Sequence, residues 1–220
     1  VDTFLSDLLS SLLATVLSVG AGWVAARWLR ELPVLLLGWL TGLGKVRVHR
    51  GQRKANDELP VVLSRARWVK VLAGRGNEIT RDGFGVLWDK GGDSRLEFVE
   101  ILLPDPSAGA GSWLSRRELE MRRVDPGFTA GLLADQVCLN AVYIQQLARR
   151  SGKVRLRFYD LPNLQRVILT DEVAYLTVYR SDEHGRNSPC LVAHRPGPLY
   201  DYAENLFAAA WDSGVSAEVR

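Results

Sequence analysis

Cysteine, histidine and methionine are all scarce in this chain, and each scarcity removes a class of function. There are two cysteines, three histidines and one methionine in 220 residues. Cys138 and Cys190 have no C-x-x-C partner, which argues against a thiolate zinc site or a disulfide framework. Both read as buried thiols of a reducing compartment. His49, His184 and His194 are too scattered to give ligand spacing, so no metal is expected, and nothing points to a bound cofactor. Net charge is small, +3; without a dense basic field there is no clear nucleic-acid signal. No repeat or low-complexity tract interrupts the chain. The composition, 47% hydrophobic and 24% charged, is that of a globular protein.

Charge itself is missing from residues 8–26, "LLSSLLATVLSVGAGWVAA". As a helix this run is about 28 Å long, close to the ~30 Å hydrocarbon core of a bilayer. Trp23 and Trp28 stand at its end, where interfacial aromatics belong. A signal peptide carries its positive charge before the apolar core; here Asp2 and Asp7 come first and Arg27 and Arg30 follow. The positive-inside rule then predicts an inner-membrane protein with its N-terminus outside and its C-terminal domain in the cytoplasm. Ser6, Ser10, Ala14, Ser18, Gly22 and Ala26 recur every four residues. That spacing makes one stripe of small side chains, suited to helix–helix packing.

A second apolar run, residues 32–44, carries Gly38 and Gly42 at the same spacing. It is too short to span a bilayer alone. Lying at the interface, forming a re-entrant leg and packing back on the first helix all remain open. The alternative for both runs is a pair of buried helices in a soluble protein. The stretch "KVRVHRGQRK", residues 45–54, adds five fixed positive charges beside the apolar segment, which predicts an anionic membrane lipid as partner. Residues 1–54 carry seven basic and three acidic residues, a net +4, which leaves −1 for the rest of the chain.

Past residue 60 the pattern becomes alternating strands and helices. Strands are predicted at 67–74, 95–106, 154–161, 165–170, 173–179 and 188–195, and helices at 112–124, 125–152 and 198–214. Ser112 is a candidate N-cap and Gly152 a candidate stop. On the 125–152 helix, Leu132, Leu133, Val137, Ala141, Val142, Ile144 and Leu147 form the apolar face.

Residues 164–171, "LQRVILTD", read as a buried strand that ends in an acid at a tight turn. A phosphodiesterase signature has the spacing His-x-Lys-x-x-x-x-Asp. Set on that spacing, Leu164 takes the histidine position, Arg166 the lysine and Asp171 the aspartate. The surrounding order resembles one half of the phospholipase D superfamily fold, over roughly residues 66–214. The likeness is carried by "VKVLAGRG", "VEILLPDP", "VRLRFYDLPNLQRVILTDEVAYLTVYRSDEHGRNSP" and the closing "GPLYDYAENLFAAAW". Together with the N-terminal pattern it gives an α/β chain: an N-terminal membrane helix, or short helical hairpin, over 1–45 and a basic juxtamembrane linker over 46–60, both read from the residues, and a phospholipase D-like α/β sandwich half-unit over 61–216, which the resemblance implies. The resemblance also implies a homodimer or higher homo-oligomer, because two half-sites meet at a two-fold axis.

The same resemblance implies a nucleophilic histidine, and Leu164 cannot serve as one. The motif is therefore read as degenerate, with no residue assigned a catalytic role. Arg166 still offers a forked donor to a phosphate, and Asp171 keeps the family position. The loop 179–189 should lie beside them and brings Arg180, Asp182, Glu183, His184, Arg186 and Ser188. The turn "GRGNE" brings Arg75 and Asn77 to the same end. Arg75, Asn77, Arg166, Asp171, Arg180, His184, Arg186 and Ser188 are the expected ligand-binding set. His194 is read as structural.

The function expected is a membrane-anchored sensor or effector that recognises a phosphorylated ligand, of nucleotide type, or a partner protein, and oligomerises on binding. Its two-part layout resembles effectors of bacterial antiviral signalling. One alternative is a phosphodiesterase or nuclease with His184 as general base beside Asp182 or Glu183. Another is a membrane-tethered scaffold for a protein partner.

Overall fold

The computed structural model describes residues 15–20, 22, 29, 31–80, 82–88, 95–162, 165–179 and 187–217. Residues 31–40 are helical (α1). They are followed by β1 (Val46–His49), α2 (Gln52–Arg65) and β2 (Trp68–Leu72), then a 3₁₀ turn (Asp82–Phe84) that runs into α3 (Gly85–Trp88). Next come β3 (Phe98–Pro104), α4 (Trp113–Val124), α5 (Leu132–Ser151), β4 (Val154–Tyr159), β5 (Gln165–Thr170), β6 (Val173–Val178), β7 (Cys190–His194), α6 (Pro198–Ser213) and β8 (Val215–Ser216).

The described strands form one mixed sheet in the order β1-β7-β6-β5-β2-β3-β4-β8. β2, β3 and β4 are parallel, so their connections must cross over. Right-handed crossovers place α3 and the α4–α5 pair on one face. α2 packs on that face too, against α3. α6 crosses the other face, where Glu204 lies 3.7 Å from Lys70. β5 is central and buried on both faces. That explains why "RVILT" reads as a continuous apolar run rather than an alternation.

Local chemistry sets several boundaries. Ser112 caps α4, its hydroxyl accepting from the Ser115 N–H at 3.2 Å. α5 is capped from its neighbour: the Glu118 carboxylate accepts from the N–H groups of Gly131 and Leu133 at 2.7 and 3.1 Å. Gly131 is left-handed, φ 84°, so the predicted 125–152 helix starts only at Leu132. At the β5–β6 turn the Thr170 hydroxyl accepts from the Val173 N–H at 3.0 Å. Of the predicted α5 face, Leu133, Val137, Ala141 and Ile144 are buried, while Val142 is exposed. Cys190 is buried, but Cys138 is exposed. The latter corrects the expectation of two buried thiols: Cys138 falls beside the buried stripe, not on it.

Residues 46–60 are not a linker. They form β1, which pairs with β7 from Val46↔Ala193 to His49↔Cys190, and most of α2. Two features hide them in the sequence. β1 is only four residues long, and α2 buries just Gln52, Ala55, Leu59 and Leu63 around an internal Pro60, which removes one helical hydrogen bond.

Among the described residues no helix is long and apolar enough to cross a membrane. The span expected over 8–26 falls largely outside them, as do Ser10, Ala14 and Ala26. Ser18 and Gly22 are helical and exposed. Gly42 adopts φ +73° where α1 ends, and a Cβ on Gly38 would lie 2.6 Å from the Gly44 carbonyl oxygen. Both glycines therefore serve the turn that closes α1.

Candidate functional site

The site is set by where β5 and β6 begin and end. Arg166 pairs across the ladder with Thr177, and Thr177 pairs in turn with Cys190 of β7. These residues share the face that α2 covers. At that place an arginine, normally a surface residue, is buried: the Arg166 side chain is 2% exposed.

The Arg166 guanidinium is only partly satisfied. Its Nη2 lies 3.5 Å from the Asn56 side-chain oxygen on α2 and 3.5 Å from the Thr177 hydroxyl. Its Nη1 lies 3.0 Å from the Glu78 carboxylate, but outside hydrogen-bond geometry, and among the described residues neither Nη1 nor Nε makes a hydrogen bond. A buried cation needs a charge partner, and Glu78 supplies it. Ser188, two residues before Cys190, is also fully buried, and its hydroxyl has no partner among the described residues.

Glu78 faces two ways. It touches Arg166 and is also part of the wall of a cleft of about 420 Å³. That volume is in the range of small-molecule sites. The cleft lies past the end of β2. Its lining is mixed: Gln52, Gly74, Arg75, Asn77, Glu78 and Tyr179 are joined by Arg117 and Asp125 and by the apolar Trp113, Met121 and Leu133. Burial pushes the Tyr179 phenol up to about 12; Arg166 opposes that shift and Glu78 adds to it. Tyr179 is thus a neutral donor at neutral pH, within the electrostatic reach of the Arg166–Glu78 pair.

The loop carrying Glu78 is fixed by α5. The Asn140 side chain donates to the Arg75 carbonyl at 2.8 Å and to the Asn77 side-chain oxygen at 2.6 Å. Gly76 is left-handed, φ +83°, and a Cβ there would lie 3.0 Å from Leu103; a substitution would be strained and crowded. The Arg75 guanidinium donates to Gln136 at 3.3 Å.

Of the expected ligand-binding set, the structure brings Arg75 and Asn77 to the cleft. Arg166 stands just behind Glu78, and Ser188 lies near the same end of the sheet. Asp171 is elsewhere. It lies in the β5–β6 turn, at the opposite end of β5, and accepts from the Arg67 N–H at 2.9 Å. Five strand positions separate it from Arg166, roughly 17 Å. Leu164, Arg180, Asp182, Glu183, His184 and Arg186 lie outside the described residues. Among the described residues no group of His, Cys, Asp or Glu could hold a metal ion.

Sequence reasoning missed Glu78, Gln52, Asn56, Trp113 and Tyr179. Glu78 stood inside the quoted "GRGNE" turn, and Tyr179 at the end of a predicted strand. Gln52 and Asn56 belong to a helix the pattern did not reveal. His194 lies at the end of β7 with its Nε2 buried and unpaired among the described residues. Burial, with Lys45 and Arg47 close by, holds its pKa below the usual histidine value.

No family model matches this chain, and no curated protein matches it. The solved structures similar to it in outline include the following three. TrmBL2, an archaeal chromatin protein whose structure shows a novel mode of DNA binding, is 15% identical over 95% of this chain and 69% of its own, with a TM-score of 0.48. Nuc, a phospholipase D family member from Salmonella typhimurium, is 12% identical over 78% of this chain and 96% of its own, TM-score 0.41. NucT from Helicobacter pylori is 16% identical over 78% and 98%, TM-score 0.46. Function has to be read from the site itself.

Proposed function

We propose that this protein recognises a phosphorylated ligand through Arg166 and the adjoining cleft, without hydrolysing it, as the sensing part of a membrane-associated protein. The observation that carries this reading is the buried Arg166 guanidinium, with Nη1 and Nε unbonded among the described residues. A buried, forked donor with spare N–H groups suits a phosphate better than it suits a structural role. The sequence adds the reason for binding without turnover: Leu164 stands where the resemblance calls for a nucleophilic histidine. Tyr179 and Arg75 supply further donors, and Trp113, Met121 and Leu133 apolar contacts for the rest of the ligand.

The membrane part of the proposal rests on the N-terminal residues. Leu36, Leu37, Trp39 and Leu40 are each more than half exposed, as side chains with an apolar partner outside the domain would be. Lys45, Arg50, Arg53 and Lys54 follow, a basic stretch suited to anionic lipid. Arg47 of that stretch is engaged inside the domain, 2.9 Å from Glu58. The small residues Ser10, Ala14, Ser18, Gly22 and Ala26 would then pack copies of the chain together, so that ligand binding is read out as oligomerisation.

The test is calorimetric titration of the full chain in nanodiscs with inorganic pyrophosphate, beside a hydrolysis assay on bis(p-nitrophenyl) phosphate. The proposal expects binding without hydrolysis. Hydrolysis that disappears in His184→Ala would replace it with the phosphodiesterase alternative, and absence of binding would remove it.

A further inference from the structure

The geometry points to Glu78 as a built-in competitor for this anion site: ligand binding exchanges the Glu78 carboxylate on Arg166 for a phosphate group. The inference rests on the reading of Arg166 as the phosphate-binding group, and goes beyond it by saying what holds the site closed.

Three observations carry it. The first is the asymmetry of the pair. Arg166 is 2% exposed and Glu78 is 40% exposed, so the cation is fixed in the protein while the carboxylate reaches it from the cleft side. Among the described ion pairs, Glu78 is the carboxylate that meets Arg166. The resting charge of the buried guanidinium is thus balanced by a side chain that can leave.

The second is the quality of the contact. Glu78 neutralises Arg166 at 3.0 Å but satisfies neither Nη1 nor Nε with a hydrogen bond. A phosphate, with more acceptor oxygens than a carboxylate, gains from donors that Glu78 leaves unused. The exchange keeps the buried cation paired at both ends, and so avoids the cost of a bare buried charge.

The third is the mounting of Glu78. The backbone on either side is held: Asn140 ties Arg75 and Asn77 to α5, the Ile79 N–H donates to the Gly76 carbonyl at 3.0 Å, and the Thr80 hydroxyl donates to the Asn77 carbonyl at 3.0 Å. Release of Arg166 therefore needs side-chain rotation of Glu78 into the cleft, not movement of the loop. No bond is made or broken in the exchange.

The experiment is calorimetric titration of the full chain with inorganic pyrophosphate, in four forms: wild type, Glu78→Gln, Arg166→Gln and the double variant. Circular dichroism checks that each is folded, and Arg166→Lys stands in if Arg166→Gln is not. Glu78→Gln removes the competing charge with little change of shape, and is expected to tighten binding roughly tenfold or more. Arg166→Gln should abolish binding in both backgrounds. Repeating the titrations with AMP and with glycerol 3-phosphate separates the sources of the phosphate. A larger gain for AMP supports exchange with a nucleotide; a larger gain for glycerol 3-phosphate supports exchange with a lipid headgroup. If Arg166→Gln abolishes binding but Glu78→Gln leaves it unchanged or weaker, Glu78 is no competitor, while the anion site stands. If neither wild type nor Glu78→Gln binds, both fall.

Discussion

Arg166 and Asp171 sit at the two ends of one strand and belong to one sequence motif, but their surroundings differ in kind. At the Arg166 end the polar groups are buried and only partly satisfied. A guanidinium with two unbonded nitrogens lies there, with a Ser188 hydroxyl, two residues before β7, that is unpartnered among the described residues, and a cleft alongside. At the Asp171 end the carboxylate lies near solvent and accepts from the Arg67 N–H, and the buried Thr170 hydroxyl closes the turn; only the His194 Nε2 beside it is buried without a partner among the described residues. Unsatisfied buried polarity costs stability and persists where something else repays it. On the proposed reading the same strand carries a recognition end and a structural end, and a motif's spacing alone does not tell them apart.

That contrast can be broken in graded ways. The largest effect is expected from Arg166→Gln, which should abolish detectable pyrophosphate binding, a loss of at least about 2–5 kcal/mol, since it truncates a buried charge. Calorimetry checks it, and an undiminished affinity would erase the distinction between the ends. Ile168→Ala, at the fully buried centre of β5, should destabilise the domain by about 2–5 kcal/mol in urea unfolding, hurting both ends alike.

Acid should act at the Asp171 end. His194 pairs with Val173, next to the turn, and burial lowers its pKa below 6.5. The unfolded chain then binds this proton before the folded one does. The histidine's contribution to stability is complete above pH 6.5 and is lost as pH falls through the lower, folded value. Urea midpoints at pH 5 and 7.5 should differ less in His194→Gln than in wild type. The smallest effect is expected from Asp171→Ala: one hydrogen bond near solvent is lost, Tm falls by about 2–4 °C, and affinity is unchanged.

The sheet was largely legible. β5 and β6 announce themselves through "QRVILT" and "VAYLTV", because a strand buried on both faces needs a continuous apolar run. β1 and α2 were not legible. Arg47 and His49 alternate with Val46 and Val48 over too few residues to outweigh a basic stretch, and Pro60 interrupts the helical pattern. In the candidate site, spacing singles out Arg166. It does not single out Glu78, because the Glu78–Arg166 contact crosses 88 positions of sequence that no local pattern encodes. Asp171 was grouped with Arg166 on the strength of the motif, and only the antiparallel register shows that the strand carries it away from the cleft.

The central claim is that the buried Arg166 guanidinium is the anion-binding group. It is tested most directly by the ¹H–¹⁵N resonance of its Nε–H, assigned by its loss in Arg166→Lys, during titration with inorganic pyrophosphate. The account predicts that this resonance shifts in saturable fashion in wild type and in Asp171→Ala alike. A titration in which other arginine resonances move while that of Arg166 stays in place would contradict it.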